Sequence, residues 1–345
     1  MVHPYLIREI ARQAGVSEAT VDRVLNDRGG VRASTVNAVR QAVTDLDRQR
    51  SQLRLSGRVF MIDIVMQTPD RFSSAVRAAL EQEIPALQPA VLRSRFHFRE
   101  KGPADELAGI LDLIFRRGSR GVILKAPEAP EINAAVLRLH EAGIPVVTLV
   151  TDLPLSKRVA YVGMDNRSAG ATAAYLVEQW LGERDCGVLV ALSRSVFRGE
   201  EEREIGFRAA LRARSPGRLV AEVTDSDGLD ASARQLVLRA LDQHPGLGAV
   251  YSVGGGNQAI LDAFDTRRRR CHVFIAHDLD RDNRRLLAQG RLSAVLHHDL
   301  PRDMRRACRI IMQAHGALDG PIESVPAPFQ VITPFNLPDG QPISM

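Results

Sequence analysis

The sequence predicts an α/β chain built in two parts: a three-helix helix-turn-helix headpiece at the N-terminus, then a two-lobed, doubly wound domain of parallel strands. Three observations predict it. Apolar residues fall at helical spacing in short blocks before residue 47. From Val59 onward, short apolar runs alternate with longer amphipathic ones to near the end of the chain. The positive charge is concentrated at the front: residues 1–58 hold ten arginines and six carboxylates, an excess of four in a chain whose net charge is +5. A phosphate-facing module needs that excess.

The headpiece elements follow in order. Ile7, Ile10, Ala11 and Ala14 form one stripe at helical spacing. Gly15 suits the left-handed residue that ends such a helix, and Val16 packs the turn. Ser17 is a good N-cap for a second helix, whose buried face is Val21, Val24 and Leu25. Glu18, Ala19, Thr20, Asp22 and Arg23 are left near its exposed start. This is the layout of a helix-turn-helix, whose second helix lies in the DNA major groove. A helical hairpin that only packs on a core is the plainer alternative. A third helix over 33–46 keeps its spacing at Val36, Val39, Val43 and Leu46. Arg32 ahead of it offers no capping oxygen, a loss of about 1 kcal/mol.

Residues 7–26, with the following GGVRASTVNAVRQAV, resemble the headpiece of the lactose-repressor (LacI) family of bacterial transcription regulators. The segments AGVS, ATV and RVLN carry the likeness, which extends more loosely over nearly all the remaining chain. The resemblance implies that the helix of 17–26 enters the major groove, with Glu18 and Ala19 at the two base-reading positions. A glutamate can accept from a cytosine amino group, whereas alanine touches only a thymine methyl. Ser17, Thr20, Arg23 and Asn26 would mostly hold phosphates, with Arg23 able to reach a guanine. Residues 47–58, DRQRSQLRLSGR, are the linker. In the family this segment is a hinge helix that orders on operator DNA and wedges a leucine into the minor groove. Leu55 stands at that place, with Leu53 as the competing choice. The tyrosine-x-proline-asparagine turn usual before the hinge is replaced here by Asp47, Arg48, Gln49 and Arg50. A plain flexible linker is the other reading.

Behind the linker, VFMIDIVM, GVILKA, IPVVTLV, CGVLVALS, GAVYSVG, HVFIAHD and LSAVLHH read as buried parallel strands. Helical stretches such as ELAGILDLIFRR and ASARQLVLRALDQH lie between them, so a doubly wound architecture follows. Residues 151–161 break the rhythm and read as a crossover between lobes. The whole resembles the two-lobed periplasmic-binding-protein-like fold of the family's effector domain. The expected division is a headpiece at 1–46, a linker at 47–58 and an effector domain at 59–345. Within that domain, lobe 1 takes about 59–161 and 297–320, and lobe 2 takes about 162–296 and 321–345.

Ligands of open α/β sheets bind at the carboxyl ends of the strands. Just past the first strand, Asp70 and Phe72 match an amide-or-acid and a stacking ring in the family, or else cap and core of the next helix. Lys125 ends GVILK in a chain with three lysines against 43 arginines. It suggests an anionic or strongly hydroxylated ligand, or else a solvated strand end. Val150, Thr151 and Asp152 stand where the family's Asp-Arg sugar clamp is expected, so that clamp is missing. Arg203 matches the family's arginine ahead of a glycine-phenylalanine pair; its donor fork suits hydroxyls or a carboxylate. A surface ion pair with Glu200 or Glu204 is the bland alternative. Asn257 follows three glycines and is either a ligand contact or an N-cap. Asp278 matches a ligand-binding aspartate or caps the next helix, and His298 stands where relatives have Gln or Asp. His277 and His298 could share a metal, but no carboxylate spacing supports it. The basic run 267–270 reads as solvated surface.

At 45% hydrophobic and 25% charged residues the composition is ordinary for a globular chain. No apolar run reaches membrane-spanning length, and no signal-peptide pattern opens the sequence. Cys186, Cys271 and Cys308 are far apart in sequence, which fits thiols of a reducing cytoplasm. No nucleophile elbow, dinucleotide fingerprint or metal-ligand cluster appears, so neither an enzyme nor a cofactor is expected. The expected function is a cytoplasmic, ligand-responsive, sequence-specific regulator, a repressor acting as homodimer or homotetramer on double-stranded, pseudo-palindromic operator DNA. One module buries too little surface for tight specific binding, hence the pairing. The family resemblance implies a sugar, polyol or sugar acid as effector. A solute-binding receptor of periplasmic type without a DNA role is the alternative.

Overall fold

The structure is a computed structural model that describes residues 3–194 and 196–338. Three helices pack at the front: α1 (Ile7–Ala14), α2 (Glu18–Leu25) and α3 (Ala33–Leu55). Gly15 closes α1 at φ 66°, and Ser17 Oγ accepts the Thr20 N–H at 3.2 Å to cap α2. Ile10, Ala11, Val21, Val39 and Ala42 are buried between the three helices, with Val24, Leu25, Val43 and Leu46 packed around them. No side chain caps α3 at Arg32.

The third helix does not stop at Leu46. It runs 23 residues to Leu55, through most of the expected linker. The reason is local: residues 47–55 contain neither glycine nor proline, so nothing interrupts the ladder of backbone hydrogen bonds. Nine further helical residues extend it by about 14 Å. The rod is held at both ends. Tyr5 Oη donates to Asp47 Oδ1 at 2.6 Å, while Arg54 pairs with Asp319 at 2.5 Å. Leu55 is 6% exposed within the core of the first lobe, whereas Leu53 is 79% exposed. Without DNA, the Leu55 side chain expected to wedge into the minor groove is thus a core anchor of the first lobe. Gly57, at φ 73°, then turns the chain into the first strand.

The first sheet has the order β2-β1-β3-β4-β5, from β1 (Val59–Gln67), β2 (Val91–Arg99), β3 (Gly121–Lys125), β4 (Val146–Leu149) and β5 (Ala160–Val162). All four pairings are parallel. Helices α4 (Asp70–Glu83), α5 (Ala104–Arg117) and α6 (Pro130–Glu141) cover it. The second lobe begins with α7 (Asn166–Leu181) and contains β6 (Gly187–Ala191), α8 (Arg198–Arg214), β7 (Val220–Val223), α9 (Asp230–Gln243), β8 (Leu247–Ser252), α10 (Asn257–Thr266), β9 (Val273–His277), α11 (Arg281–Ala288) and β10 (Ala294–His298). The chain then crosses back. Helix α12 (Leu300–Ala314) buries Met304, Ala307, Cys308 and Ile311 in the core of the first lobe. It crosses again, and β11 (Phe329–Ile332) joins β10 antiparallel at the edge of the second sheet. The second sheet thus has the order β11-β10-β9-β8-β6-β7. The near-continuous burial of β1, β3, β6, β8 and β9 is what strands covered on both faces require.

One packing detail positions the site. A Cβ at Gly170 of α7 would lie 1.9 Å from the Arg203 carbonyl oxygen, and one at Gly206 of α8 would lie 2.1 Å from that of Arg167. Two glycines therefore let α7 and α8 pack backbone to backbone. That contact fixes the turn of α8 carrying Arg203.

Candidate functional site

The carboxyl ends of β1, β3 and β4 face those of β6, β8 and β9 across a cavity between the lobes. Phe72, Lys125, Arg203 and Asp278 reach it. Asp70, Asn257 and His298 do not.

Lys125, the last residue of β3, is not the solvated strand end that was the alternative. It is buried, donates to the Gln67 carbonyl oxygen at 3.1 Å, and holds its ammonium 4.2 Å from the centroid of the Phe197 ring. Burial lowers its pKa to about 8. Arg203 is likewise no surface ion pair. It is 3% exposed, its Nε donates to Asn166 Oδ1 at 2.8 Å, and its Nη2 is buried with no partner. Asp278 sits at φ 62° at the end of β9. Burial opposes its ionisation, but His298 and Arg203 hold its carboxyl well below the usual carboxylate range.

The three remaining residues are displaced for local reasons. Asp70 is the first residue of α4, and the helical turn rotates it into solvent while Arg71 and Phe72 face the cavity. Arg71 then reaches across to the second lobe, 3.1 Å from Asp280. Asn257 opens α10 behind the cavity wall and donates to Asn283 Oδ1 at 2.6 Å. The glycine turn before it brings the backbone of Gly254 and Gly255 to the cavity instead. His298 is 2% exposed and lies behind Asp278, its Nε2 3.3 Å from Asp278 Oδ1 and its Nδ1 2.5 Å from Asp303 Oδ2 on α12. Burial works against its charge, yet the two carboxylates raise its pKa to about 9.

Gln67 was not singled out from sequence, and His277 only as a possible metal partner of His298. Gln67, the last residue of β1, has a buried Oε1 with no partner. His277 places Nε2 2.8 Å from the Tyr251 hydroxyl and has a buried, unpartnered Nδ1. Burial, and then Arg203, hold its pKa well below the ordinary value. The signal that could have found Gln67 is a polar residue ending an apolar run. Thr151 Oγ1 accepts the Gly199 N–H across the lobes at 3.0 Å. Asp152 is taken by Arg158 at 2.5 Å rather than offered to a ligand.

At the other end of the chain, Ser17, Glu18, Ala19, Arg23 and Asn26 are exposed along α2 and Thr20 is half-buried. Asn26 and Arg28 both contact Asp22, at 2.8 and 2.9 Å. Among the described residues no carboxylate forms a salt bridge with Arg23. Also among them, no group of three or more His, Cys, Asp or Glu is placed to hold a metal ion, and no helix is long and apolar enough to cross a membrane. Cys308 is buried; Cys186 and Cys271 are half-buried; all three are unpaired.

Comparison with known proteins agrees with this layout. Residues 62–317 match the periplasmic binding protein domain, and residues 6–50 match the bacterial regulatory proteins of the lacI family. The HTH-type transcriptional regulator MalR of Streptomyces coelicolor is 29% identical over 73% of this chain and 67% of its own length. The ribose import binding protein RbsB of Escherichia coli is 24% identical over 57% of this chain and 66% of its own. The chain thus spans about two thirds of the length of these relatives. HTH-type transcriptional regulator GalS of Salmonella typhimurium is 38% identical over 28% of this chain and 29% of its own. Among solved structures, GanP, a glucose-galactose binding protein from Geobacillus stearothermophilus, superposes with a TM-score of 0.72 at 21% identity, covering 81% of this chain and 99% of that one. A solute binding protein from Burkholderia graminis in complex with D-arabinose gives 0.72 at 20% identity, covering 82% and 97%. At these identities the structural likeness is one of fold. The chain thus belongs, over residues 62–317, to the periplasmic binding protein domain family, and in front of that domain it carries a headpiece of the lacI family of bacterial regulatory proteins at residues 6–50.

Proposed function

We propose that the protein is a sequence-specific DNA-binding transcriptional repressor whose operator affinity is set by a small molecule held between the lobes. One observation carries the reading: a chain with an exposed, capped recognition helix also holds Arg203 Nη2 buried and unpartnered at the inter-lobe cavity. An unsatisfied buried donor costs about 1–3 kcal/mol, so the site is built for something that fills it. The unpartnered Gln67 Oε1 and the Asp278 carboxylate, whose Oδ1 faces His298 Nε2 at 3.3 Å, add acceptors, so a hydroxylated ligand such as a sugar, polyol or sugar acid suits the set. Phe72, Lys125, Arg203 and Asp278 are its contacts, joined by Gln67 and His277, and His298 holds Asp278 in place. Glu18 and Ala19 read bases; Ser17, Thr20, Arg23 and Asn26 hold phosphates, with Arg23 able to reach a guanine. The protein acts in the cytoplasm as a homodimer or homotetramer on a pseudo-palindromic operator, and as a binder rather than an enzyme.

Lobe closure supplies the coupling. Arg71–Asp280, Arg194 Nη1 donating to the Gly102 carbonyl at 3.3 Å, and Glu128 N–H donating to the Val196 carbonyl at 3.0 Å all join the lobes. A ligand that favours closure changes how the lobes sit, and α3, rooted in the first lobe through Leu55, carries that change to the headpiece. Such coupling is typically about 1–3 kcal/mol and reciprocal. The test is a thermal-shift screen over sugars, polyols and sugar acids, followed by operator titration with each hit. Ligand at about 100 times its Kd stabilises by about 2.7 kcal/mol. A hit that leaves operator affinity unchanged overturns the regulatory reading.

A further inference from the structure

Among the charged groups lining the cavity, Glu100, Glu200, Lys125 and Arg203 form no salt bridge among the described residues. Arg71 pairs with Asp280 at 3.1 Å, and Arg194 with Asp227 at 3.6 Å. Asp278 and Asp303 share His298. The Glu200 carboxylate takes the Ser193 N–H at 2.7 Å, the Ser193 hydroxyl, and the Arg194 N–H at 3.4 Å. Glu100 Oε1 accepts the Asp70 N–H at 3.1 Å. Lys125 and Arg203 are left. Both are buried, and neither forms a salt bridge among the described residues. They come from opposite lobes, Lys125 at the end of β3 and Arg203 on α8. Each has one polar partner, a carbonyl for Lys125 and an amide oxygen for Arg203. The Glu200 and Asp278 carboxylates act on Lys125, and Asp278 on Arg203, but from beyond salt-bridge distance; a buried cation without a direct counter-ion is costly unless the protein closes around one.

We infer that the effector is a monocarboxylate carrying several hydroxyls, an aldonic or uronic acid, whose carboxylate bridges Lys125 and Arg203 across the cleft while its hydroxyls donate to Gln67 Oε1 and Asp278 Oδ1. The inference rests on the cleft being the effector site. The remaining group fits. His277 is neutral, and the buried Tyr251 hydroxyl has its Nε2 as partner. If Tyr251 donates there, as its burial requires, His277 Nδ1 carries a proton and points one more donor at the ligand. A neutral sugar can satisfy the acceptors, but it leaves both cations without a salt-bridge partner. Anchoring the acid on both lobes also makes it a clamp, because neither lobe alone holds the full set of donors.

The full-length protein is titrated by calorimetry with D-gluconate, D-galactonate, D-glucuronate and D-galacturonate, each beside D-glucose, D-galactose and the matching polyol, with D-glucose 6-phosphate as a further anion. At least one acid is expected to bind about 30-fold or more tightly than its aldose. In Lys125→Gln and Lys125→Met that ratio is expected to fall to within about threefold, with far-UV circular dichroism confirming the fold. An aldose or polyol that binds as tightly as its acid, a tighter sugar phosphate, or a ratio untouched by both variants overturns the inference while leaving the cleft as the effector site. If no member of the panel binds, the cleft reading falls with it.

Discussion

His298 and Asp303 are joined across the junction of the lobes: Nδ1 lies 2.5 Å from Oδ2, and both side chains are 2% exposed. His298 ends β10 in the second lobe, whereas Asp303 belongs to α12, which packs in the first. On its other side the imidazole faces Asp278 at the cavity. A protonated ring between two carboxylates thus ties the effector cleft to the helix that crosses between lobes.

That pair has a pH signature. The folded pKa of His298 is raised to about 9 from 6.5, by the two carboxylates against the cost of burial. Its contribution is therefore fully present below about pH 6.5 and is lost as pH rises through about 9. His298→Gln is expected to remove stability at pH 6 and little at pH 9.5. The difference between the two stability curves should shrink by up to the order of 3 kcal/mol across that window. Urea midpoints measured from pH 6 to 9.5 check it. Parallel curves for the two proteins would show that the ring is neutral in the fold.

Arg203→Ala is expected to weaken effector binding by about 2–3 kcal/mol, because the ligand loses a buried charged donor and Asn166 Oδ1 is left unpaired. Arg203→Lys should not restore it, since an ammonium cannot serve Asn166 and the ligand together in the guanidinium's fixed fork. Calorimetry with the compound found by screening reads both; full affinity in either variant removes Arg203 from the site.

The continuous α3 makes a prediction that a disordered hinge does not. Amides of residues 47–55 should be protected from hydrogen exchange in the DNA-free protein. Leu55→Ala should cost about 2–5 kcal/mol of stability, because it opens a cavity in the core of the first lobe. If instead these amides exchange at unstructured rates and Leu55→Ala lowers only operator affinity, Leu55 is a DNA wedge rather than an anchor.

Arg23 is exposed on α2 with no salt bridge among the described residues. Arg23→Ala is expected to weaken operator binding by about 1–3 kcal/mol and to relax base choice at one position. Unchanged affinity and selectivity in a gel-shift titration would assign Arg23 to neither bases nor phosphates.

Legibility in the sequence followed how local each determinant is. The headpiece was readable because its cap, its left-handed glycine and its apolar spacing all lie within 20 residues. The strands covered on both faces were readable as apolar runs. Three strands were not: β2, VLRSRFHFR, is arginine-rich and lies at a sheet edge, while β5 and β7 are only three and four residues long. The reach of α3 past Leu46 follows from the absence of breakers in residues 47–55, a stronger signal than their scarcity of apolar residues. At the cleft, Lys125 and Asp278 were legible as polar residues at strand ends. Asp70 lies one residue of helical rotation away from the cavity. Asn257 and His298 lie one layer deeper, each supporting a residue that reaches the cavity. Which side chains stay unpartnered depends on contacts between lobes distant in sequence, so Gln67, and the place of His277 at the cavity, emerged only from the structure.

The most direct measurement is a duplex selection from a random library with the full-length protein at about 0.15 M salt, repeated with a compound that stabilises it. The expected result is enrichment of a pseudo-palindromic duplex bound at about 10⁻⁸–10⁻¹¹ M, with an affinity that the compound changes by about 5- to 150-fold. No preference for any duplex over random competitor, with or without small molecules, would contradict a DNA reader governed by the cleft behind it.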